Sequence, residues 1–183
     1  MTRSKSFPWV WGLSSETMDL SQACDSYLQE PEHVLFRGVE IDAPAAAVFR
    51  WLCQLRVAPH SYDLLDNLGQ PSPRQLIPGL ENLAKGQRVM TIFELLEFER
   101  DCQLTIRIRP NSRAESIFGS VVVSYLIKKR GPKKSALLVK LLVRYPRSVW
   151  GRFMRLILPP GDFFMMRKQL LSLKELAEAS TGA

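Results

Sequence analysis

The sequence predicts an α+β domain in which a mostly antiparallel β-sheet is covered on one face by a C-terminal helix. Three observations support this class. An extended apolar segment is followed directly by an amphipathic helical pattern. The middle of the chain is a series of Val-, Ile-, Leu- and Phe-rich segments with short polar connections. The C-terminal part has apolar residues at helical spacing over a long stretch. A chain of 183 residues is long enough for one such domain with a well-packed core.

The first strand and the first helix are adjacent in the sequence. The segment HVLFRGVEIDAP (33–44) predicts a strand, because its apolar residues are β-prone and the Asp-Ala-Pro sequence ends it. Pro44 suits the first turn of a helix, where its missing N–H costs little. The helix predicted over 44–57 should end near Pro59, because the residue before a proline avoids helical backbone angles. The apolar stripe of this helix is Ala47, Val48, Trp51, Leu52 and Leu55.

Strands are predicted for the middle of the chain. A short helix or turn pair at 72–86, closed by Gly86, comes first. Four apolar segments follow at 87–101, 102–110, 118–130 and 134–146, and their short connections favour antiparallel neighbours. The alternation is clearest in the second of them. There Leu104, Ile106 and Ile108 share one face, and Thr105, Arg107 and Arg109 share the other.

The C-terminal region predicts helix in two pieces. The first covers 148–158, a Pro-Pro-Gly break lies at 159–161, and the second covers 162–180 with Asp162 as its N-cap. An apolar stripe along the second piece indicates the side that faces the sheet. Its members are Phe163, Met166, Leu170, Leu173 and Ala177.

Composition and motifs exclude several classes of protein. No apolar run approaches the ~18 residues of a membrane-spanning helix, and the N-terminal apolar stretch is too short for a secretory signal, so we expect a cytoplasmic protein. The three cysteines are far apart and form no metal-binding or disulfide pattern. The motifs HExxH, GxxxxGK[ST], GxGxxG and GxSxG are absent. We therefore expect neither a metal nor a cofactor.

The net charge of +7 raises anionic partners as candidates, namely nucleic acid, a phospholipid surface or an acidic ligand. The run KKRGPKK (128–134) carries much of this charge, and its Gly-Pro pair is typical of a solvated hairpin tip. No aromatic residues interleave with these lysines to stack on bases, so we expect no nucleic-acid binding.

The element order, together with four segments, resembles the START-like superfamily, also called SRPBCC, and in particular its polyketide-cyclase-like bacterial members. The matching segments are VEIDAPAAAVFRWLCQL (39–55), SYDLLDNLG (61–69), LENLAKGQRVM (80–90) and FFMMRKQLLSLKELAE (163–178). The resemblance covers 33–180 and leaves 1–32 as an N-terminal extension. It implies a helix-grip fold, in which a curved antiparallel sheet wraps around a long C-terminal helix, with two short helices between the first and second strands.

The resemblance also implies a cavity between the sheet and that helix. Members of the superfamily bind lipids, sterols, polyketides or other apolar small molecules, and a minority are enzymes, so the fold alone does not select a function. We expect this chain to bind, and in a further role to transport, an apolar or amphipathic molecule such as a lipid or polyketide. The alternatives are a cyclase- or dehydratase-type enzyme acting on a polyketide-like substrate and a peripheral membrane-associated lipid carrier.

The connection HSYDLLDNLG (60–69) holds the first candidate ligand contacts, His60, Tyr62, Asp63 and Asn67. In the fold implied by the resemblance this connection lies near one end of the cavity. Tyr62 is suited to donate a hydrogen bond there, and Asp63 or His60 to transfer a proton. Local structure explains the same residues equally well, because Asp63 suits a helix N-cap and Asn67 a helix end.

Four further candidates lie on the sheet and the last helix. Arg107 pairs with a carboxylate if its face points inward and is a surface residue if that face meets water. Phe163, Met166 and Leu170 either line the cavity or form ordinary core. Residues 147–158 interleave arginines with large apolar side chains, a pattern that suits either a helix packed on the sheet or contact with an anionic lipid surface.

Overall fold

The computed structural model describes residues 7–60 and 73–182. The predicted Tyr62, Asp63 and Asn67 lie outside these residues. The strands are β1 (Val10–Trp11), β2 (His33–Ile41), β3 (Arg88–Val89), β4 (Phe93–Glu99), β5 (Gln103–Ile108), β6 (Ser120–Gly131) and β7 (Lys134–Arg144). The α-helices described are α1 (Ser15–Met18), α2 (Ala45–Cys53), α3 (Arg113–Phe118) and α4 (Val149–Ala179), with single 3-10 turns at Ala23–Ser26 and Gln54–Arg56.

The strands form one curved, unclosed sheet in the order β1-β2-β7-β6-β5-β4-β3. All neighbouring pairs are antiparallel except β1 and β2, which run parallel at one edge. The long helix α4 packs against this sheet, so the α+β class and the helix-grip arrangement predicted from the sequence are confirmed. We call the face that packs on α4 the inner face and the opposite face the outer face.

The strand predictions hold with local corrections. The Gly-Pro pair of 128–134 forms the tip of the β6–β7 hairpin, as predicted, and Gly131 pairs with Lys134 there. The segment 87–101 is two strands rather than one, because Met90 adopts a left-handed backbone with φ of 49° between them. The described part of the predicted 72–86 element forms turns, and helix α3 has no counterpart among the predicted elements.

Helix α4 runs without interruption, so the break predicted at 159–161 is wrong. Pro159 and Pro160 lie inside the helix and cannot donate the backbone hydrogen bonds that the preceding turn would accept. Packing offsets this loss, because Met154 and Met166 are buried in the same core on either side of the proline pair.

The start of α4 is set by Ser148 rather than by Asp162. The Ser148 hydroxyl accepts a hydrogen bond from the backbone nitrogen of Gly151 at 3.1 Å, which satisfies one of the unpaired donors of the first turn. Asp162, predicted as an N-cap, therefore lies in the helix interior. Its carboxylate is available for contacts with the sheet.

Residues 7–32, in the region predicted as an extension, pack along the sheet edge and on the outer face. The backbone nitrogen of Cys24 donates to the Ser124 hydroxyl at 2.8 Å, and Ser124 and Thr105 share a hydrogen bond of 2.8 Å. Lys140 pairs with Asp25 on the same face. This cover buries Thr105, which strand alternation alone would leave facing water.

Candidate functional site

A cavity of about 570 Å³ lies between the inner face of the sheet and the N-terminal half of α4. Its volume is within the range of roughly 300–1,000 Å³ that small-molecule sites occupy. Most of the wall consists of apolar side chains from β4, β5, β6, β7 and α4. Representative members are Phe93, Ile106, Val121, Leu141, Met154 and Met166.

The strand period and the packing of α4 explain why the cavity lies at this end. Alternate residues of β5 and β6 point inward, which places Ile106, Ile108, Val121 and Val123 on the wall. The C-terminal half of α4 packs closely instead, and Leu170 and Leu173 are almost fully buried. Hydrogen bonds also hold this half of the helix, since Trp51 Nε1 donates to the Ser180 hydroxyl at 3.3 Å. Among the described residues, the cavity therefore borders α4 from Met154 to Gln169 and ends where Leu170 packs into the core.

A chain of hydrogen bonds crosses from the sheet to the helix at the cavity wall. The Tyr125 hydroxyl donates to Gln169 Oε1 at 2.8 Å, and Gln169 Nε2 donates to the Pro59 carbonyl at 2.6 Å. All three residues line the cavity, and both side chains are buried. Burial raises the pKa of the Tyr125 hydroxyl, so it stays protonated and acts as a donor.

A buried ion pair lies beside this chain. Arg37 Nη2 lies 2.8 Å from Asp162 Oδ2, and the two side chains are only 1% and 11% exposed. The other terminal nitrogen of Arg37 donates to the carbonyls of Trp9 and Phe36, both at 2.9 Å. Asp162 is the charged group among the described residues that line the cavity.

The environment of Asp162 raises the pKa of its carboxyl. Burial raises the pKa of the Asp162 carboxyl from 3.8 to about 6, although Arg37 acts in the opposite direction. Burial likewise lowers the pKa of Arg37 below its usual range. A carboxyl that titrates near neutral pH inside an apolar cavity is able to accept or donate a proton.

His60 is buried next to the cavity rather than on its wall. Its backbone is left-handed, with φ of 53°, and its ring centroid lies 6.1 Å from that of Trp51 in an edge-on arrangement. The preceding residue, Pro59, is the one that reaches the cavity, through its carbonyl contact with Gln169. His60 thus packs against α2 and is not among the residues that line the cavity.

Arg107 and Phe163 both lie away from the cavity. Arg107 follows the outer-face alternation of β5 and binds Glu94 through a 2.7 Å contact between Nε and Oε1. Phe163 packs edge-on against Phe7 at 4.7 Å between ring centroids, and Arg37 lies over its ring. Of the two alternatives stated for Arg107, the structure shows the surface position, and its acidic partner Glu94 lies on the neighbouring strand β4.

The other two candidates on α4 differ from each other. Met166 lies on the cavity wall, which is the first of the two alternatives stated for it above. Leu170 is 0% exposed and belongs to the packed core one turn further along. The side of α4 that faces the sheet therefore lines the cavity at Met166 and belongs to the packed core at Leu170.

Sequence reasoning missed Tyr125, Gln169 and the Arg37–Asp162 pair. A usable signal was present, because Asp162 and Gln169 are seven residues apart and so lie on the same side of a helix as Met166. Arg37 similarly interrupts an apolar face of β2 formed by Leu35, Val39 and Ile41. Polar residues on an apolar face are candidates for a buried site.

Two of the cysteine thiols are buried. Burial raises the pKa of the Cys24 thiol to about 11 and that of Cys53 to about 12, so both stay protonated. Within 7–60 and 73–182, no three His, Cys, Asp or Glu side chains come together as metal ligands. None of the helices described there combines the length and apolarity needed to cross a membrane.

Comparison with solved structures shows the same fold in several bacterial proteins. The chain is similar to hypothetical protein jhp0584 from Helicobacter pylori, with a TM-score of 0.56, 15% identity, and coverage of 86% of this chain and 95% of that one. It is similar to protein NE0264 from Nitrosomonas europaea (TM-score 0.52, 14% identity, coverage 81% and 96%) and to protein MLL2253 from Mesorhizobium loti (TM-score 0.51, 15% identity, coverage 81% and 98%). Similarity at this level of identity shows the fold alone. No protein-family profile and no curated protein matches the chain.

Proposed function

We propose that this protein binds an apolar or amphipathic small molecule, such as a lipid or polyketide, between the sheet and α4, and that it is a START-like protein. The observation that carries this proposal is the cavity of about 570 Å³ with apolar walls. Burial of a ligand's apolar surface there contributes roughly 25 cal/mol per Å². The element order and the four matching sequence segments support the superfamily. Carriage of the ligand between sites is part of the same proposal.

The polar groups of the wall orient the ligand. Tyr125 and Gln169 satisfy each other in the structure, whereas Asp162 uses one carboxylate oxygen, Oδ2, for Arg37. The other oxygen is suited to accept a hydrogen bond from a ligand hydroxyl or amine. A few placed polar groups in an apolar site commonly fix orientation in this way. A ligand with a neutral donor group fits better than one with a buried carboxylate, which Asp162 would repel.

The proposal is tested by filling the cavity from Gly161. This residue lines the cavity, and a Cβ added to it meets no atom within 4 Å beyond its chain neighbours and its own helix backbone. We expect Gly161→Phe to occupy ligand space and weaken binding by about tenfold to a hundredfold, while the helix gains propensity from losing its glycine. Native mass spectrometry of the purified protein and melting-temperature shifts across fatty alcohols, sterols, lysophospholipids and aromatic polyketides measure the effect.

Gly161→Ala is the matched control. It improves helix propensity by about 0.5–1 kcal/mol, which is at least as much as Phe does, but leaves most of the cavity open. Retained binding in Gly161→Ala with lost binding in Gly161→Phe supports the proposal. A wild-type protein that neither retains a molecule nor responds to any member of the panel contradicts it.

A second candidate function, proton-transfer catalysis of the dehydratase or cyclase type, is supported by Asp162. As a carboxylate it would take a proton from the carbon next to a substrate carbonyl. As the acid thus formed it would return that proton to a departing hydroxyl, which leaves as water. The raised pKa of Asp162 suits both steps near neutral pH.

Turnover is tested by incubating a bound panel member with wild-type protein and with Asp162→Asn, after circular dichroism has shown that the variant is folded. We expect loss of water from a 3-hydroxy carbonyl ligand with wild-type protein, and a rate lower by about 10²-fold or more with Asp162→Asn. A ligand recovered unchanged from both proteins leaves simple binding as the function.

A further inference from the structure

The N-terminal half of α4 exposes an unusual amount of apolar surface. Met154 and Pro159 are buried on the side toward the core. Six large side chains point the other way, and Leu156 and Phe153 are 76% and 51% exposed. At about 100° per residue these six lie along one side of the helix. We call this surface the exposed helix face, and it consists of Val149, Trp150, Phe153, Leu156, Ile157 and Phe164.

Along this part of the chain, basic residues outnumber acidic ones. Between residues 144 and 174 the only acidic residue is Asp162, which is paired with the buried Arg37. The same stretch holds seven basic residues, of which Arg144, Arg147, Arg152, Arg167 and Lys168 are exposed. Arg147, Arg152, Arg167 and Lys168 form no ion pair with any acidic residue in the part of the chain that the structure describes, so positive charge borders the apolar surface.

From this combination we propose that the exposed helix face docks on an anionic membrane surface, with its apolar side chains in the interfacial region and the arginines against lipid phosphates. Helices with an apolar face and a basic border bind anionic bilayers in this manner. Membrane contact was one of two alternatives open for 147–158 on sequence grounds. The outward orientation of these side chains favours it over burial on the sheet.

The cavity lies next to the exposed helix face. Ile157 belongs to the exposed helix face and also lines the cavity. Met165, which follows Phe164 of that face, lines the cavity too and is likewise exposed, so the docking surface reaches the cavity wall. A membrane held against the exposed helix face would lie at the cavity boundary. An apolar ligand would then pass between the bilayer and the protein with little exposure to water.

A second copy of the chain is a poorer occupant of this face. A two-fold contact would place the same arginines of both copies close together, since each copy presents the same patch. Like charges at an interface cost affinity unless they are neutralised. Anionic lipid headgroups supply the missing negative charge.

The test is co-sedimentation of the full chain with vesicles of phosphatidylcholine alone or mixed with phosphatidylglycerol. We expect wild-type protein to bind the anionic vesicles about tenfold more tightly than the neutral ones, and binding to weaken as salt rises. The double variant F153Q/L156Q should bind anionic vesicles about tenfold or more weakly. Neither residue lines the cavity, so ligand-induced melting shifts should not change.

Matched control variants distinguish binding through the exposed helix face from binding through apolar or basic residues elsewhere on the surface. V57Q/I77Q removes two exposed apolar side chains elsewhere and should leave vesicle binding unchanged. R147Q/R152Q should weaken binding to anionic vesicles several-fold, whereas K128Q/K133Q, which removes the same charge from the far end of the β6–β7 hairpin, should have a smaller effect.

Three results would overturn the proposal: no binding of wild-type protein to anionic vesicles, equal binding by F153Q/L156Q, or equal losses in the two charge variants. A wild-type dimer that F153Q/L156Q converts to monomer, without vesicle binding by either, would assign the face to a contact between copies. Ligand binding in the cavity is measured separately, so its absence would contradict the proposed function without deciding membrane docking.

Discussion

Arg37→Met is expected to lower the free energy of unfolding by about 3–5 kcal/mol at about pH 8, measured by urea denaturation. The substitution leaves the Asp162 carboxylate buried without its counter-charge, and it removes the donors that the carbonyls of Trp9 and Phe36 accept. Breaking a buried pair in this way costs more than the pair contributes, because the remaining charge keeps its desolvation penalty.

The loss should depend on pH in a defined direction. Burial raises the pKa of Asp162 and Arg37 lowers it, so removing Arg37 moves the pKa further above about 6. A carboxyl with a raised pKa in the folded state destabilises the protein fully above that pKa, and this destabilisation declines as the pH falls toward the unfolded-state pKa of 3.8. The difference between Arg37→Met and wild type should therefore narrow by about 2 kcal/mol or more between pH 8 and about pH 4.5.

The double variant R37M/D162L is the control for this interpretation. Replacing both members of a buried pair by apolar residues is often neutral or stabilising. We expect its free energy of unfolding to lie within about 1–2 kcal/mol of wild type and to lose the pH dependence assigned to Asp162. A pH-independent loss in R37M would mean that the hydrogen bonds to Trp9 and Phe36, rather than the charge on Asp162, carry the effect.

The fold was predictable from the sequence because its signals are local and repeated. The alternation of Leu104, Ile106 and Ile108 marks the inner face of β5, and the Gly-Pro pair marks the β6–β7 hairpin. The error at 159–161 has a physical reason. A proline pair removes helix donors, but whether the helix ends there depends on packing of Met154 and Met166, which are twelve residues apart and meet the same distant sheet.

The site was only partly predictable, since its polar groups meet across the fold. Tyr125 and Gln169 are 44 residues apart, and Arg37 and Asp162 are 125 apart. Local patterns suggested a capping role for Asp162, whereas its true partner comes from the second strand. For Arg107 the position was predictable but the partner was not. Strand alternation placed it on the less apolar face of β5, but it could not show that Glu94 would pair with it.

Met166 and Leu170, one turn apart on α4, allow cavity wall and core to be distinguished by experiment. Leu170→Ala is expected to lower the free energy of unfolding by about 3–5 kcal/mol, because the side chain is 0% exposed and its removal leaves a void within packed core. Met166 borders the cavity, so its replacement by Ala removes packing contacts on one side only. Met166→Ala should therefore lower the free energy of unfolding by at most about 2 kcal/mol.

The ligand-induced melting shift should be changed by Met166→Ala and not by Leu170→Ala, which is the opposite order to the stability losses. Met166→Ala changes the wall that a bound molecule touches, so its ligand-induced melting shift should differ from that of wild type, whereas Leu170→Ala should keep the same shift from a lower starting temperature. Urea denaturation and thermal shifts on the same preparations separate the two effects. Equal stability losses in the two variants, with no change in ligand response, would mean that Met166 is also core and that the space beside the N-terminal half of α4 does not hold the ligand.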